Sequence, residues 1–205
     1  MAQIYIDTHQ TDKAVEILKS ISSILRDYTK QKAQNILRLI SLYIESGRND
    51  EAKKELKSLL SYQNAVDQLM VIEQYKSICR KNDEWDDLLD ILLDEIAYYI
   101  RKPKAECLPS LLLKPENRQY IQAGVEHTFR EYADICYYKL KREREAAEIY
   151  AMLAVRNPDD SYPRNVLKEI LAADPENDYV RSLLDQLVAE LSLSSSKWPS
   201  VKKNR

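Results

Sequence analysis

The chain has 205 residues, of which 44% are hydrophobic and 31% charged, enough to bury a substantial core. Its 31 basic and 33 acidic residues leave a net charge of −2, which supplies no global field for nucleic acid or an anionic membrane, and no apolar run is long enough to span a bilayer. Two glycines in the whole chain exclude phosphate-cradling loops and most tight hairpins, while abundant Leu, Ala, Glu, Lys and Ile favour helix, so the expected class is all-α.

The first stretch, Ala2, Tyr5 and Ile6, reads as the end of a helix, followed by a turn at His9-Gln10-Thr11-Asp12. Ala14, Ile17, Leu18, Ile21 and Leu25 then recur at helical spacing. A second pair follows: Ile36, Leu39, Ile40 and Tyr43 form one stripe, and Ala52, Leu56, Leu59 and Leu60 the next. Between them Gly47 can take a positive φ as a helix C-cap. In the third pair Leu69, Ile72, Tyr75, Ile78 and Cys79 precede the turn Lys81-Asn82-Asp83. Trp85, Leu88, Leu89, Leu92, Leu93 and Ile96 continue to about Arg101.

Pro103, Pro109 and Pro115 then interrupt the pattern, because proline cannot donate to a helix and turns its predecessor away from the α region. The fourth pair carries Phe129, Ala133, Cys136 and Tyr137, then Ala146, Ile149, Tyr150, Leu153 and Ala154. Pro158 stops it, and Asp159 or Asp160 can cap a helix bearing Val166, Leu167, Ile170 and Leu171. Asp174-Pro175-Glu176 reads as the N-cap and first turn of a last helix, with Val180, Leu183, Leu184, Leu187 and Leu191. Beyond Leu193 the serine-rich, basic segment is expected to be a disordered tail.

One phrase recurs through these pairs. An anchor closing the first stripe is followed nine residues later by a small or aliphatic residue: Tyr5 and Ala14, Tyr43 and Ala52, Cys79 and Leu88, Tyr137 and Ala146. The first three anchors stand 38 and 36 residues apart, the period of a helical repeat array. The fourth follows after 58, so an insertion sits between. The pattern predicts a right-handed α-solenoid of antiparallel helix pairs over 1–193, with units at about 1–28, 32–62, 66–101, 119–158 and 162–193. An irregular insertion at 102–118, a C-terminal helical segment and a tail at 194–205 complete the expected organisation. Because the first unit begins inside a helix, it is expected either to continue a longer array or to meet another subunit.

Tyr132-Ala133 through Tyr137, Ala146 and Tyr150 to Pro158 resembles the tetratricopeptide repeat (TPR), and Tyr43, Gly47, Ala52 and Leu56 match it nearly as well. The resemblance covers about two thirds of the chain. It implies that first helices line a concave groove, presenting Gln34, Leu37, Arg38, Ser41 and Glu45 from the second unit. Met70, Glu73, Gln74, Ser77 and Lys81 would come from the third, and Glu131, Tyr132, Ile135, Tyr138 and Lys139 from the fourth. The family's carboxylate clamp of Lys, Asn and Arg is not written here, since the second unit has Leu37, Arg38 and Ser41 at those positions.

Other chemistry has little footing. His9 and His127 have no second ligand at metal spacing, and Asp83, Glu84, Asp86 and Asp87 lack the alternation and central glycine of a calcium loop. An acidic first turn on the helix dipole accounts for them. Cys79 and Cys136 fall on apolar faces, Cys107 is expected to be more exposed, and none forms a CxxC pair, which suits a reducing compartment. With no signal-peptide pattern at residues 1–7, the cytoplasm is expected, with the nucleus as the alternative. Neither catalysis, cofactor nor metal is expected. The expected role is a scaffold that binds a partner peptide or helix. The competing readings are a helical-repeat RNA-binding subunit, which the charge balance does not favour, and a ligand- or peptide-sensing regulator. No membrane partner is expected, and the sequence sets no oligomeric state.

Overall fold

The computed structural model describes Tyr5 and residues 10–26, 29–62, 66–107 and 123–195. Among these residues every regular element is helical. Backbone contacts divide the chain into two compact units, Met1–Ile91 and Leu92–Arg205. Ala2, Ile6, His9, Pro109, Pro115 and the basic residues of the tail lie outside the described residues.

The first unit contains α1 (Thr11–Ile24), α2 (Lys30–Glu45), α3 (Asn49–Leu59), α4 (Gln68–Lys81) and the start of α5 (Trp85–Ile100). Each of the first four helices packs on its neighbour in sequence, as stacked helix pairs require. The stripes read from the sequence form the core: Ala14 and Leu18 of α1, Ile36, Leu39, Ile40 and Tyr43 of α2, Ala52, Leu56 and Leu59 of α3, and Ile72, Tyr75 and Cys79 of α4 are buried. Starts are defined by side-chain caps. Thr29 accepts from the Lys32 N–H at 3.3 Å, and Asp67 accepts from the Leu69 N–H at 3.0 Å.

The helix ends explain the recurring anchor. The Arg48 N–H donates to the Tyr43 carbonyl at 2.8 Å and the Gly47 N–H to the Ile44 carbonyl at 3.1 Å, the two bonds of a Schellman turn. Gly47 sits at φ +71°. Asp83, at φ +57°, repeats this geometry 36 residues on, with the Glu84 N–H donating to the Cys79 carbonyl at 2.9 Å. The Gln10 N–H donates to the Tyr5 carbonyl at 2.8 Å, the same six-residue closure. Tyr5, Tyr43 and Cys79 are therefore equivalent because each supplies the carbonyl that closes a helix end.

The second unit holds the rest of α5, a short 3-10 turn at Lys104–Glu106, and α6 (Ala123–Asp134), which runs into a π-helical turn at Ile135–Lys139. It continues with α7 (Glu143–Arg156), α8 (Tyr162–Ala173) and α9 (Asp178–Ser195). α7 packs against α6, α8 and α9, with Phe129, Ala146, Ile149, Tyr150, Leu167 and Ile170 among the fully buried side chains.

Four expectations are corrected here. In the π turn the Leu140 N–H donates to the Ile135 carbonyl and the Arg142 N–H to the Cys136 carbonyl, so Cys136, not Tyr137, takes the closing role. The last helix starts at Asp178 with Asn177 accepting from the Val180 N–H at 3.1 Å, so Asn177 and not Asp174 caps it. That helix extends to Ser195, past the expected start of the tail. Cys107 is fully buried rather than exposed, because the 3-10 turn folds its thiol to 3.2 Å from the Pro103 carbonyl. Burial pushes this thiol up to about 11.

Candidate partner-binding surface

α2 leaves one ridge out of the core. Gln34, Arg38, Ser41 and Glu45 follow one another at helical spacing and are all exposed, while Ile36, Ile40 and Tyr43 turn inward. A shift of 36 residues, the distance between Gly47 and Asp83, maps this ridge onto Met70, Gln74, Ser77 and Lys81 of α4. Met70, Ser77 and Lys81 are exposed and Gln74 is half-buried. The Gln74 Oε1 is buried and accepts no hydrogen bond. Ser41 donates back to the Leu37 carbonyl at 3.2 Å. Among the described residues Arg38, Glu45 and Lys81 enter no ion pair.

On α6 the expected groove residues are only partly where sequence placed them. Tyr132 is 5% exposed and Ile135 6%, so neither lines an open surface. The Tyr132 hydroxyl donates to Glu145 at 2.9 Å, and burial together with that carboxylate holds the phenol well above its ordinary value. The cause is the π turn. Its extra residue displaces α6 by one position relative to α7, so alignment through Tyr137 misplaces the helix before it. Aligned through Cys136, Tyr132 corresponds to Leu39 and Tyr75, and Ile135 to Leu42 and Ile78, all of them buried. The residues matching the ridge become His127, Glu131, Asp134 and Tyr138. The cysteine shared by positions 79 and 136 was the available sequence signal for this register.

Tyr138 is 43% exposed and its ring tilts against Tyr137 at 4.7 Å between centroids, and Lys139 beside it is exposed. Asp134 has its Oδ1 occupied by two phenols, accepting from Tyr150 at 2.6 Å and Tyr162 at 2.9 Å. Burial and that carboxylate hold both phenols protonated well above the usual tyrosine range. This cluster anchors α6, α7 and α8 together, and Tyr138, bonded to Tyr162 at its edge, keeps its ring exposed.

Away from the ridges, charges are used between helices. Lys53 of α3 donates to Glu84 and to Asp87, each at 2.8 Å, and Lys57 reaches Asp90 at 3.4 Å. Burial alone would lower the Lys53 ammonium, but its bonds to Asp87 and Glu84 raise it above the ordinary lysine value. Asp86 and Asp87 lie in the first turn of α5, and Glu84 and Asp87 hold Lys53 as well. Cys79, Glu84 and Asp87 bring ligand atoms within 4.8 Å of one another, a spacing that could suit a metal ion. The Lys53 ammonium already stands as the cation for both carboxylates, and burial followed by the Asp87 and Glu84 charges pushes the Cys79 thiol up to about 12. A thiol so reluctant to ionise is a poor ligand. Arg48 pairs with Asp12 and Glu51 and lies over the Tyr43 ring at 4.8 Å. In the second unit Arg130 pairs with Asp160 and Arg156 with Glu126. His127 is exposed.

No family model matches the sequence, and no curated protein matches it. Among solved structures, the chain is similar to a candidate kinesin light chain from Podosopora anserina with nearly identical TPR-like repeats, at 15% identity and a TM-score of 0.43, covering 94% of this chain and 92% of that one. A variant structure of that protein gives 15% identity and a TM-score of 0.42, covering 96% and 93%. No helix among the described residues is long and apolar enough to cross a membrane.

Proposed function

We propose that this protein is a non-catalytic interaction scaffold whose helix pairs receive an extended segment or a helix of a partner protein along the exposed ridges of α2 and α4. The observation that carries this reading is the repeated ridge: Gln34, Arg38, Ser41 and Glu45 reappear as Met70, Gln74, Ser77 and Lys81 at the same positions of the next pair. Apart from half-buried Gln74, these side chains lie outside the core, and Arg38, Glu45 and Lys81 keep their charges without an ion-pair partner among the described residues. Rigid helices that hold such groups in place lower the ordering cost on the receptor side, so affinity is spent on the partner alone. In the second unit Tyr138, an aromatic with an apolar body and a polar tip, is the residue best suited to a contact of the same kind.

An RNA-binding role is less well supported. Several of the chain's cations are already neutralised by carboxylates: Arg48, Lys53, Lys57, Arg130 and Arg156 each pair with at least one. The test is site-specific photo-crosslinking of the full chain in native extract, with the reactive side chain at Arg38 or Ser77 and, as controls, at exposed Lys54 or Lys168. One protein captured from both ridge positions and from neither control is the expected result. Capture only from the control positions would overturn the reading.

A further inference from the structure

Two isoleucines at the end of α1 stand out of the core of the first unit. Ile24 is 84% exposed, the most of any large apolar side chain among the described residues, and Ile21 is 39% exposed. With half-buried Ile17 they fall at i, i+4 and i+7, so one apolar stripe runs down the last two turns of α1. Their equivalents in the next pair, 38 residues on, are Leu59 and Tyr62; Leu59 is fully buried and Tyr62 is 7% exposed. Ala14 and Leu18, by contrast, are as buried as their own equivalents Ala52 and Leu56. The helix that follows is in place in both pairs, α2 against α1 and α4 against α3. What Ile21 and Ile24 lack is a counterpart of the first half of α2, an antiparallel helix over the end of α1. The Tyr5 ring, 5.7 Å from the Lys13 ammonium, meets α1 at its opposite end.

The stripe is bordered by groups that ask for no charged partner. Ser20 donates to the Glu16 carbonyl at 2.9 Å and Ser23 to the Ser20 carbonyl at 2.7 Å. Both hydroxyls are thus satisfied within α1, and these small side chains let a second helix approach closely. From Ile17 to Ile24 the single charged residue is Lys19. Its ammonium is drawn to the other side of the helix, 5.7 Å from the Tyr43 ring centroid and towards Glu51. A surface without charge meets an identical surface without like-charge repulsion, and residues 17, 21 and 24 are spaced almost evenly about the middle one. Two such helices lying antiparallel set Ile17 against Ile24 of the other copy and Ile21 beside its own equivalent.

We propose that the last two turns of α1 are a self-association surface, on which α1 of a second copy lies antiparallel and takes the place of the covering helix. The contact spans two turns from each copy, below the roughly 1,200 Å² of a standard interface, so the pairing is weak, with a dissociation constant of about 10–100 µM. It does not rest on the ridge reading, because α1 contributes nothing to the ridges of α2 and α4.

The experiment is sedimentation equilibrium of the full chain from about 1 µM to about 500 µM, combined with thiol crosslinking. A reversible monomer–dimer equilibrium is expected. Ile24→Glu should weaken it at least about tenfold and leave the melting temperature of the dilute protein unchanged, because that side chain is already exposed. Arg38→Ala on the ridge should leave the dimer as it is. Under mild oxidation Ile21→Cys should give a disulfide-linked dimer. Ile24→Cys should not, since its two copies stand about 10 Å apart along the helix pair, beyond the reach of a disulfide. The natural thiols Cys79, Cys107 and Cys136 are buried and should not crosslink. A chain that stays monomeric throughout, as it would if a helix of another protein covers the stripe, overturns the proposal. So does a dimer that Ile24→Glu leaves intact, or one that crosslinks through position 24 and not through position 21.

Discussion

Each of the three described turns that close an anchored helix places one residue in the left-handed region: Gly47, Asp83 and Lys141. Gly47 suits the conformation best and Asp83 tolerates it, whereas a long side chain such as that of Lys141 costs about 1–2 kcal/mol there. A Cβ at Gly47 would meet nothing within 4 Å, so Gly47→Ala isolates the backbone term and is expected to lower stability by about 1 kcal/mol. Lys141→Gly should raise stability by about 0.5–1 kcal/mol in urea unfolding. A destabilised Lys141→Gly would mean that its side chain contributes more than the strain costs. The neighbouring tyrosines separate burial from exposure equally well. Tyr132→Phe removes a buried hydrogen bond to Glu145 and is expected to cost about 1–2 kcal/mol of stability while leaving partner binding intact. Tyr138→Ala should do the reverse, within about 0.5 kcal/mol of the parent in stability and weaker in binding. Equal effects of the two changes on stability would contradict the register assigned to α6.

At the level of elements, Lys53 ties α3 to the residues that open α5. Its side chain is 11% exposed, whereas Glu84 and Asp87 are 29% and 43% exposed and keep part of their hydration. Lys53→Met is therefore expected to cost about 1–2 kcal/mol, between the values for surface and buried pairs. Calorimetry that finds no loss would show that the carboxylates are solvated well enough without it. The helices were legible in the sequence wherever apolar periodicity and a turn residue coincided, as with Tyr43, Gly47 and Ala52. Two features were not. The π turn at Ile135–Lys139 carries no composition of its own, and its one-residue displacement sent Tyr132 and Ile135 to the wrong face of α6. The burial of Cys107 depends on a 3-10 turn between helices, which leaves no periodic trace. Long-range pairs such as Lys53 with Glu84 and Asp87 depend on the stacking of helices 31 and 34 residues apart in sequence and on the rotamers that stacking allows.

For the molecule as a whole, burial sets a common response to alkali. Cys79 and Cys107 are held at about 12 and about 11 in the folded chain, against an ordinary thiol value of 9.0. Above pH 9 the unfolded chain sheds these protons while the folded one retains them, so stability is full below that pH and falls as pH rises towards 11–12. Raised phenols at Tyr132 and Tyr150 act in the same direction above their ordinary range. The urea midpoint should therefore drop between pH 8 and pH 10.5, and a constant or rising midpoint would contradict the burial of these groups. Both compact units contain helices packed on their sequence neighbours, and the first repeats its turn geometry and ridge at a spacing of 36 residues. The most direct measurement of the scaffold claim is hydroxyl-radical footprinting of the free chain and of its complex recovered from native extract. Met70 and Tyr138 should be oxidised in the free chain and protected in the complex, with Tyr132 protected throughout. Unchanged oxidation of both Met70 and Tyr138 on complex formation, or protection confined to the exposed faces of α3 and α8, would contradict it.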